Sequence, residues 1–164
     1  MYSVYLITGS NQGDRAAQLS RVLDELQQHA GTVAQTSEVY ETEAWGREGL
    51  PAHLNQAILL KTELEPEELL VMLQQIERRL GRVRQERWGI RSVDIDILYF
   101  EQRIIDQPDL KIPHPLLQER NFVLVPLTEI APAWIHPVSG KTNATLLKEC
   151  LDTLSVVPVP RKIR

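Results

Sequence analysis

Cysteine is nearly absent. Cys150 stands alone among 164 residues, which excludes an internal disulfide and any metal site built on a cysteine cluster. A reducing compartment, the cytoplasm, is the expected location. Positive charge is not in excess either: the formal net charge is −4, so nothing overall favours nucleic acid, and any anion site must come from local clustering. Nothing approaches the ~20 apolar residues of a membrane span. The opening "MYSVYLITGS" lacks a basic leader and has too short an apolar run for a signal peptide. There is no G-x-x-x-x-G-K-[ST], which excludes a P-loop, and "GSNQGD" lacks G-x-G-x-x-G. His53, His114 and His136 are scattered without zinc-ligand spacing, and His29 reads as a solvated residue of the first helix. What remains, 43% hydrophobic and 24% charged, is ordinary for a globular protein and suits one domain over residues 1–164.

The order of elements is legible from periodicity. "YSVYLIT" is a strand ending at the turn Gly9-Ser10-Asn11. From about Gly13 to Ala30 apolar residues fall at helical spacing, with Gly31 as the expected stop. "TVAQTSEVYET" reads as one strand, "EAWGREGLPA" as a loop and "HLNQAILLKTEL" as a third strand. "PEELLVMLQQIERRLGR" is a second helix, opened by Pro66, Glu67 and Glu68 and closed by Gly81. The basic loop "RVRQERWGIR" follows, then the strand "SVDIDILYF", on which "EQRIID" is expected to pair back. "PHPLLQERNFVLVPLTEIAP" reads as short helical pieces broken at Pro115 and Pro126, "TNATLLKECLD" as a last helix, and the tail as extended. The order β-α-β-β-α-β predicts an α+β, ferredoxin-like sandwich: a mostly antiparallel sheet with helices packed on it.

The fourth strand carries the chemistry. Aspartate is depleted in strands, yet two stand here two residues apart, so Asp94 and Asp96 share a face and Val93, Ile95, Ile97 and Tyr99 take the other. Their Cα atoms are roughly 7 Å apart at about 3.3 Å per residue. At an effective dielectric near 20 the two charges repel by about 2.4 kcal/mol. A hard divalent cation offsets this, since magnesium takes one or two carboxylates plus phosphate oxygens. Arginine does so too, and Arg82, Arg84, Arg87 and Arg91 precede the strand. Arginine's planar fork suits phosphate, so the combination suggests metal on the aspartates and phosphate on the arginines. Surface ion pairs between loop and strand are the plainer alternative.

"LITGSNQGDR", "YETEAWG", "HLNQAI", "GRVRQERWGIRSVDIDILYF" and "IPHPLLQERNFVLVPLTEIAP", in that order, resemble the 6-hydroxymethyl-7,8-dihydropterin pyrophosphokinase family of folate biosynthesis. The R-W-G-x-R-x-x-D-x-D segment is the most specific part; only the C-terminal tail carries no motif of the family. The resemblance implies the ferredoxin-like sandwich and transfer of diphosphate from ATP to the pterin hydroxymethyl group, giving AMP. It implies that Asp94 and Asp96 ligate two Mg²⁺ ions against the ATP phosphates. By the same resemblance Arg82, Arg84 and Arg91 handle the phosphates, with Arg82 and Arg91 joining the aspartates as catalytic residues, and Trp88 closes over the site. Gln74, Glu77, Ile97, His114 and Arg120 fall on the nucleotide side. Thr42, Asn55 and Phe122, with Glu43 to Trp45, fall on the pterin side.

The chain departs from the family at Ile90, Gln85, Asp109 and Lys111, and His53 takes a position usually aromatic, opposite Phe122 across the pterin. These bear on loop rate and pterin affinity. Three other readings compete: a magnesium-ATP kinase of the same fold acting on another heterocycle, a ferredoxin-like RNA-binding module, and a non-catalytic relative. An acidic strand face and an aromatic fraction of 5% oppose the second, and the intact aspartates oppose the third. The expected partners are therefore ATP and the pterin, without nucleic acid or membrane, and the chain is expected to act as a monomer.

Overall fold

The computed structural model describes residues 1–42, 52–84 and 93–160, with the backbone alone at 82–84. Strand β1 (Tyr2–Ser10) leads to α1 (Arg15–His29), then β2 (Thr32–Thr36), β3 (Tyr40–Thr42), β4 (His53–Thr62) and α2 (Pro66–Arg84). Strand β5 (Asp94–Phe100) follows, then β6 (Ile105–Gln107), β7 (Leu110–Ile112), α3 (Asn121–Ile130), α4 (Asn143–Glu149) and β8 (Val156–Pro158). The main sheet runs β5-β1-β4-β3-β8, with β2 also on β4, and its pairings are antiparallel. With β2 and β3 taken as two halves of one broken strand, this is the ferredoxin-like order, and the α+β architecture is as the periodicity predicts.

Alternation along the strands builds two cores. On one face Val4, Leu6, Ile58, Leu60, Ile95 and Ile97 bury against Val22 and Leu26 of α1 and Leu69, Leu73 and Ile76 of α2. On the other, Tyr5, Ile7, Ala57 and Tyr99 meet Val123, Leu124 and Leu127 of α3 and Leu146 of α4. Helices thus cover both faces, a third layer that the periodicity of the first hundred residues does not show. Asp14 begins α1 by accepting the Ala17 N–H at 3.1 Å, and Thr142 begins α4 by accepting from Thr145 at 3.2 Å.

Several local expectations are corrected. Tyr99 lies on the opposite face from Ile97, because the register against β1 slips between Tyr5 and Leu6 and one extra residue reverses the alternation. Gly81 does not end α2, which runs on to Arg84, so Arg82 and Arg84 lie in its last turn and not in a loop. A glycine without a left-handed φ costs a helix only about 1 kcal/mol. Gly31 does follow α1, but for space: a Cβ there would lie 2.2 Å from the Lys61 carbonyl oxygen. "TVAQTSEVYET" is two strands, split where Ser37 turns to donate its Oγ to Glu38 O at 2.7 Å. "EQRIID" does not pair with β5. Glu101, at φ 51°, turns the chain away, and β6 pairs with β7 as a separate hairpin. Pro126 sits inside α3 and does not break it; the lost bond to the Phe122 carbonyl is outweighed by burial against the second core. The tail is extended as expected, and it adds β8 to the sheet beside β3.

His136 lies under the second core, 5% exposed, its ring edge-on to Tyr99 at 5.8 Å. Its Nδ1 accepts the N–H groups of Val138 and Ser139, both at 3.2 Å, so that nitrogen must be unprotonated. Burial holds the imidazole below its ordinary value. The unfolded chain therefore takes up a proton first, near pH ~6.5, and stability present above that pH is lost as pH falls toward the depressed folded value. His114 is shifted the same way, by burial first. The melting temperature should fall between about pH 7 and about pH 5, and less so in His136→Asn. Equal falls in both proteins would remove His136 as a cause.

Candidate active site

The register of the central strands assembles the site. Gly9 of β1 stands opposite Asp94 on one side and Asn55 on the other, and Ile7 stands between Asp96 and Ala57. Asn55 is in turn paired with Tyr40, and His53 with Thr42. Directly opposed residues share a face. Asp94, Asp96, Asn55, His53 and Thr42 therefore all project from the face that carries α3 and α4, at the end those helices leave open. Asp94 and Asp96 are exposed there, while Thr42 and Asn55 are buried, only 3% and 5% exposed. Gly9 gives this row a floor without a side chain, since a Cβ on it would lie 2.7 Å from Asn55 Nδ2.

Two pockets flank the aspartates. The larger, about 450 Å³, is lined by Thr42, His53, Asn55, Glu119, Arg120, Phe122, Asp152 and Leu154. Asn55 Nδ2 donates to Thr8 O at 3.2 Å, but its Oδ1 and the Thr42 Oγ1 are buried without hydrogen-bond partners among the described residues. Unpaired buried oxygens are costly, and at a pocket wall they suit a ligand's N–H groups. The Arg120 guanidinium lies over the Phe122 ring, 5.5 Å from its centre. The smaller pocket, about 230 Å³, is lined by Leu70, Ile95, Asp96, Ile97, Leu110, Lys111 and His114, among others. His114, in the smaller pocket, feels charges from both sides. Burial lowers its pKa, the Asp96 charge opposes that shift and the Arg120 charge adds to it. Its Nδ1 faces the Leu116 N–H at 3.2 Å, which leaves Nε2 for a ligand.

Glu77 reaches from α2 to the sheet edge, where its Oε2 accepts the Ile95 N–H at 2.7 Å. This pins the strand between the two aspartates, a role that spacing alone does not reveal. Gln74 is exposed on the same helix, one turn earlier. Glu43, Trp45, Gln85, Trp88, Ile90 and Arg91, and the side chains of Arg82 and Arg84, lie outside the described residues. Among the described residues no cluster of three or more His, Cys, Asp or Glu forms a cation cage. The donor set that remains, two neighbouring carboxylates on an open face, fits magnesium completed by phosphate oxygens and water.

Sequence reasoning missed Asp152 and Leu154, because the tail shows no motif and its place in the pocket wall depends on β8 pairing with β3.

Residues 5–132 match the family model described as 7,8-dihydro-6-hydroxymethylpterin-pyrophosphokinase (HPPK). The chain belongs to the HPPK family. A curated relative from Aquifex aeolicus, a 2-amino-4-hydroxy-6-hydroxymethyldihydropteridine pyrophosphokinase, is 40% identical over 141 residues, 86% of this chain and 88% of the relative. HPPK relatives of the same name from Porphyromonas gingivalis and Bacillus subtilis are 42% and 48% identical, over 87% and 77% of this chain and 99% and 76% of their own. Among solved structures, the fused HPPK-DHPS of Plasmodium falciparum superposes with a TM-score of 0.71 at 16% identity. It covers 91% of this chain, which spans only 43% of that fused chain. At that identity the likeness concerns the fold, and it places the HPPK sandwich described above among known HPPK domains.

Proposed function

We propose that this protein transfers a diphosphate from ATP to the hydroxymethyl group of 6-hydroxymethyl-7,8-dihydropterin, in folate biosynthesis. HPPK family membership supports the reaction, and one observation supports its location: the strand register that puts Asp94, Asp96, Asn55 and Thr42 on one open face between two pockets. The pterin hydroxyl oxygen attacks the β-phosphorus of ATP and loses its proton. The bond from that phosphorus to the α–β bridging oxygen breaks, and AMP leaves.

Each residue has a part. The larger pocket takes the pterin, with Asn55 Oδ1 and Thr42 facing its N–H edge and Phe122 against its ring. The family resemblance adds Glu43 and Trp45 to the pterin side, and His53 lines the same pocket as Phe122. The smaller pocket takes the nucleotide against Ile97 and His114, with Gln74 and Glu77 of α2 on the nucleotide side as the resemblance implies; Arg120, which the resemblance also gives to the nucleotide, lines the larger pocket beside Phe122. Two Mg²⁺ ions on Asp94 and Asp96 would neutralise the triphosphate and stabilise both entering and leaving oxygens. The family resemblance gives Arg82, Arg84 and Arg91 the phosphate oxygens and Trp88 a place on the nucleotide side. Such transfers depend on positioning and charge stabilisation and need no protein nucleophile.

Residues 1–164 act as a single catalytic unit and a monomer, in the cytoplasm where ATP is supplied. No described helix is long and apolar enough to cross a membrane. The deciding experiment incubates purified protein with MgATP and the hydroxymethyl pterin and assays nucleotide products. AMP is expected, and ADP would mean simple phosphoryl transfer.

His53→Phe tests the pterin wall. Aromatic pairs contribute about 0.5–1.5 kcal/mol beyond area, so pterin should bind roughly two- to tenfold tighter, with ATP binding unaltered. Unchanged pterin affinity would place His53 off the ring.

A further inference from the structure

The family match ends at residue 132, yet Asp152 and Leu154 form part of the larger pocket's wall. Asp152 is held on three sides by hydrogen bonds. Its Oδ2 accepts the backbone N–H of Asn121 at 2.9 Å, and its carbonyl oxygen accepts Asn121 Nδ2 at 2.8 Å. Its Oδ1 accepts the Leu154 N–H at 3.0 Å. Asn121 is the first residue of α3, and the preceding Arg120 offers that helix no side-chain cap. The first N–H groups of a helix lack partners within it, and a carboxylate there also meets the positive end of the helix dipole. Asp152, 31 residues further along the chain, therefore supplies the cap that α3 lacks locally.

The two residues flanking Asn121 are Arg120 and Phe122, both in the pocket wall and in contact with each other. We infer that Asp152 is a positioning residue for the pterin site: by fixing the start of α3 from the C-terminal segment, it sets where Phe122 and Arg120 stand against the pterin. Because β8 holds that segment to β3, which carries Thr42, the tail ties the two sides of the pocket together. This rests on the proposed pterin occupancy of the larger pocket.

Steady-state kinetics on the full chain, with each substrate varied separately, test it. Hydrogen bonds to charged groups are among the stronger ones, so Asp152→Ala should raise the KM for the hydroxymethyl pterin by about tenfold. The KM for ATP should stay within about twofold, because the nucleotide pocket is built on other elements. Asp152→Asn keeps an acceptor oxygen at the helix start and should stay within about threefold of wild type. A role in general stability would move both substrates together and would not be rescued by asparagine. If Asp152→Ala does not fold, Asn121→Asp reads the same contact: an acid suits the first helical turn, but it replaces the donor facing the Asp152 carbonyl. The same pterin-selective loss is expected. Unaltered pterin KM in the variant read, or equal losses for both substrates, overturns the inference while wild type still makes AMP. Wild-type protein that makes no AMP overturns the proposed reaction instead, and direct pterin binding by calorimetry, wild type against Asp152→Ala, then decides the positioning role: about tenfold weaker binding supports it and equal binding overturns it.

Discussion

Asp94→Asn and Asp96→Asn should each lower AMP formation by at least about 10²-fold, because a preorganised electrostatic contact to a transition state is typically worth ~3–4 kcal/mol. Both carboxylates are exposed on the open end of the sheet, so neither fills a core. Each substitution removes one of two like charges roughly 7 Å apart and relieves about 2 kcal/mol of repulsion. Folding should therefore survive. The strand between them is held independently, by the β1 pairing on one side and Glu77 on the other. The expected signature is a melting temperature near or above that of wild type with turnover nearly lost, and a loss that excess magnesium reverses only in part. Near-normal AMP production by both variants would falsify the metal assignment.

The aspartate pair was the most legible part of the site, because period-two alternation places residues two apart on one face whatever the rest of the chain does. The same rule failed five residues later. Alternation puts Tyr99 on the face of Ile97, and a single-residue slip against β1 reverses it. Bulges depend on the partner strand, so one strand's own pattern cannot announce them. Helix ends show a similar limit. Gly81 carries a stop signal, but such a signal acts only where the chain needs a left-handed turn, and here α2 continues to Arg84. Pro126 reads as a breaker, but tertiary burial in the second core outweighs one lost backbone bond.

What no local pattern could give is the assembly of the larger pocket. Thr42, Asn55, Phe122 and Asp152 come from β3, β4, α3 and the tail, and each alone is unremarkable. The resemblance named three of them. The fourth depends on a strand of three residues at the sheet edge, too short to stand out from an extended tail.

Asn55→Leu should lower kcat/KM for the pterin by about 10², with the KM for ATP unchanged. Asn55 is 5% exposed, and its Oδ1 has no partner among the described residues although Nδ2 donates to Thr8 O. A buried acceptor left unpaired costs about 1–3 kcal/mol in the free protein. An incoming pterin N–H relieves that cost, and leucine can offer it nothing. Sites built to hydrogen-bond a ligand lose most when one side of the pair is apolar, because the other is then buried unsatisfied. The stability change should have the opposite sign from the binding change: removing the unpaired oxygen should leave the melting temperature level or higher, although one bond to Thr8 is lost. Gly9→Ala approaches the same atom from the other side. Its Cβ would lie 2.7 Å from Asn55 Nδ2, so the amide must shift while the backbone stays in register. A displaced amide still offers its oxygen, so this variant should lose about tenfold, less than the leucine substitution, which removes the group outright. If Asn55→Leu binds pterin as wild type does while Gly9→Ala does not, the constriction at Gly9 acts on the pterin directly, and Asn55 serves the sheet alone.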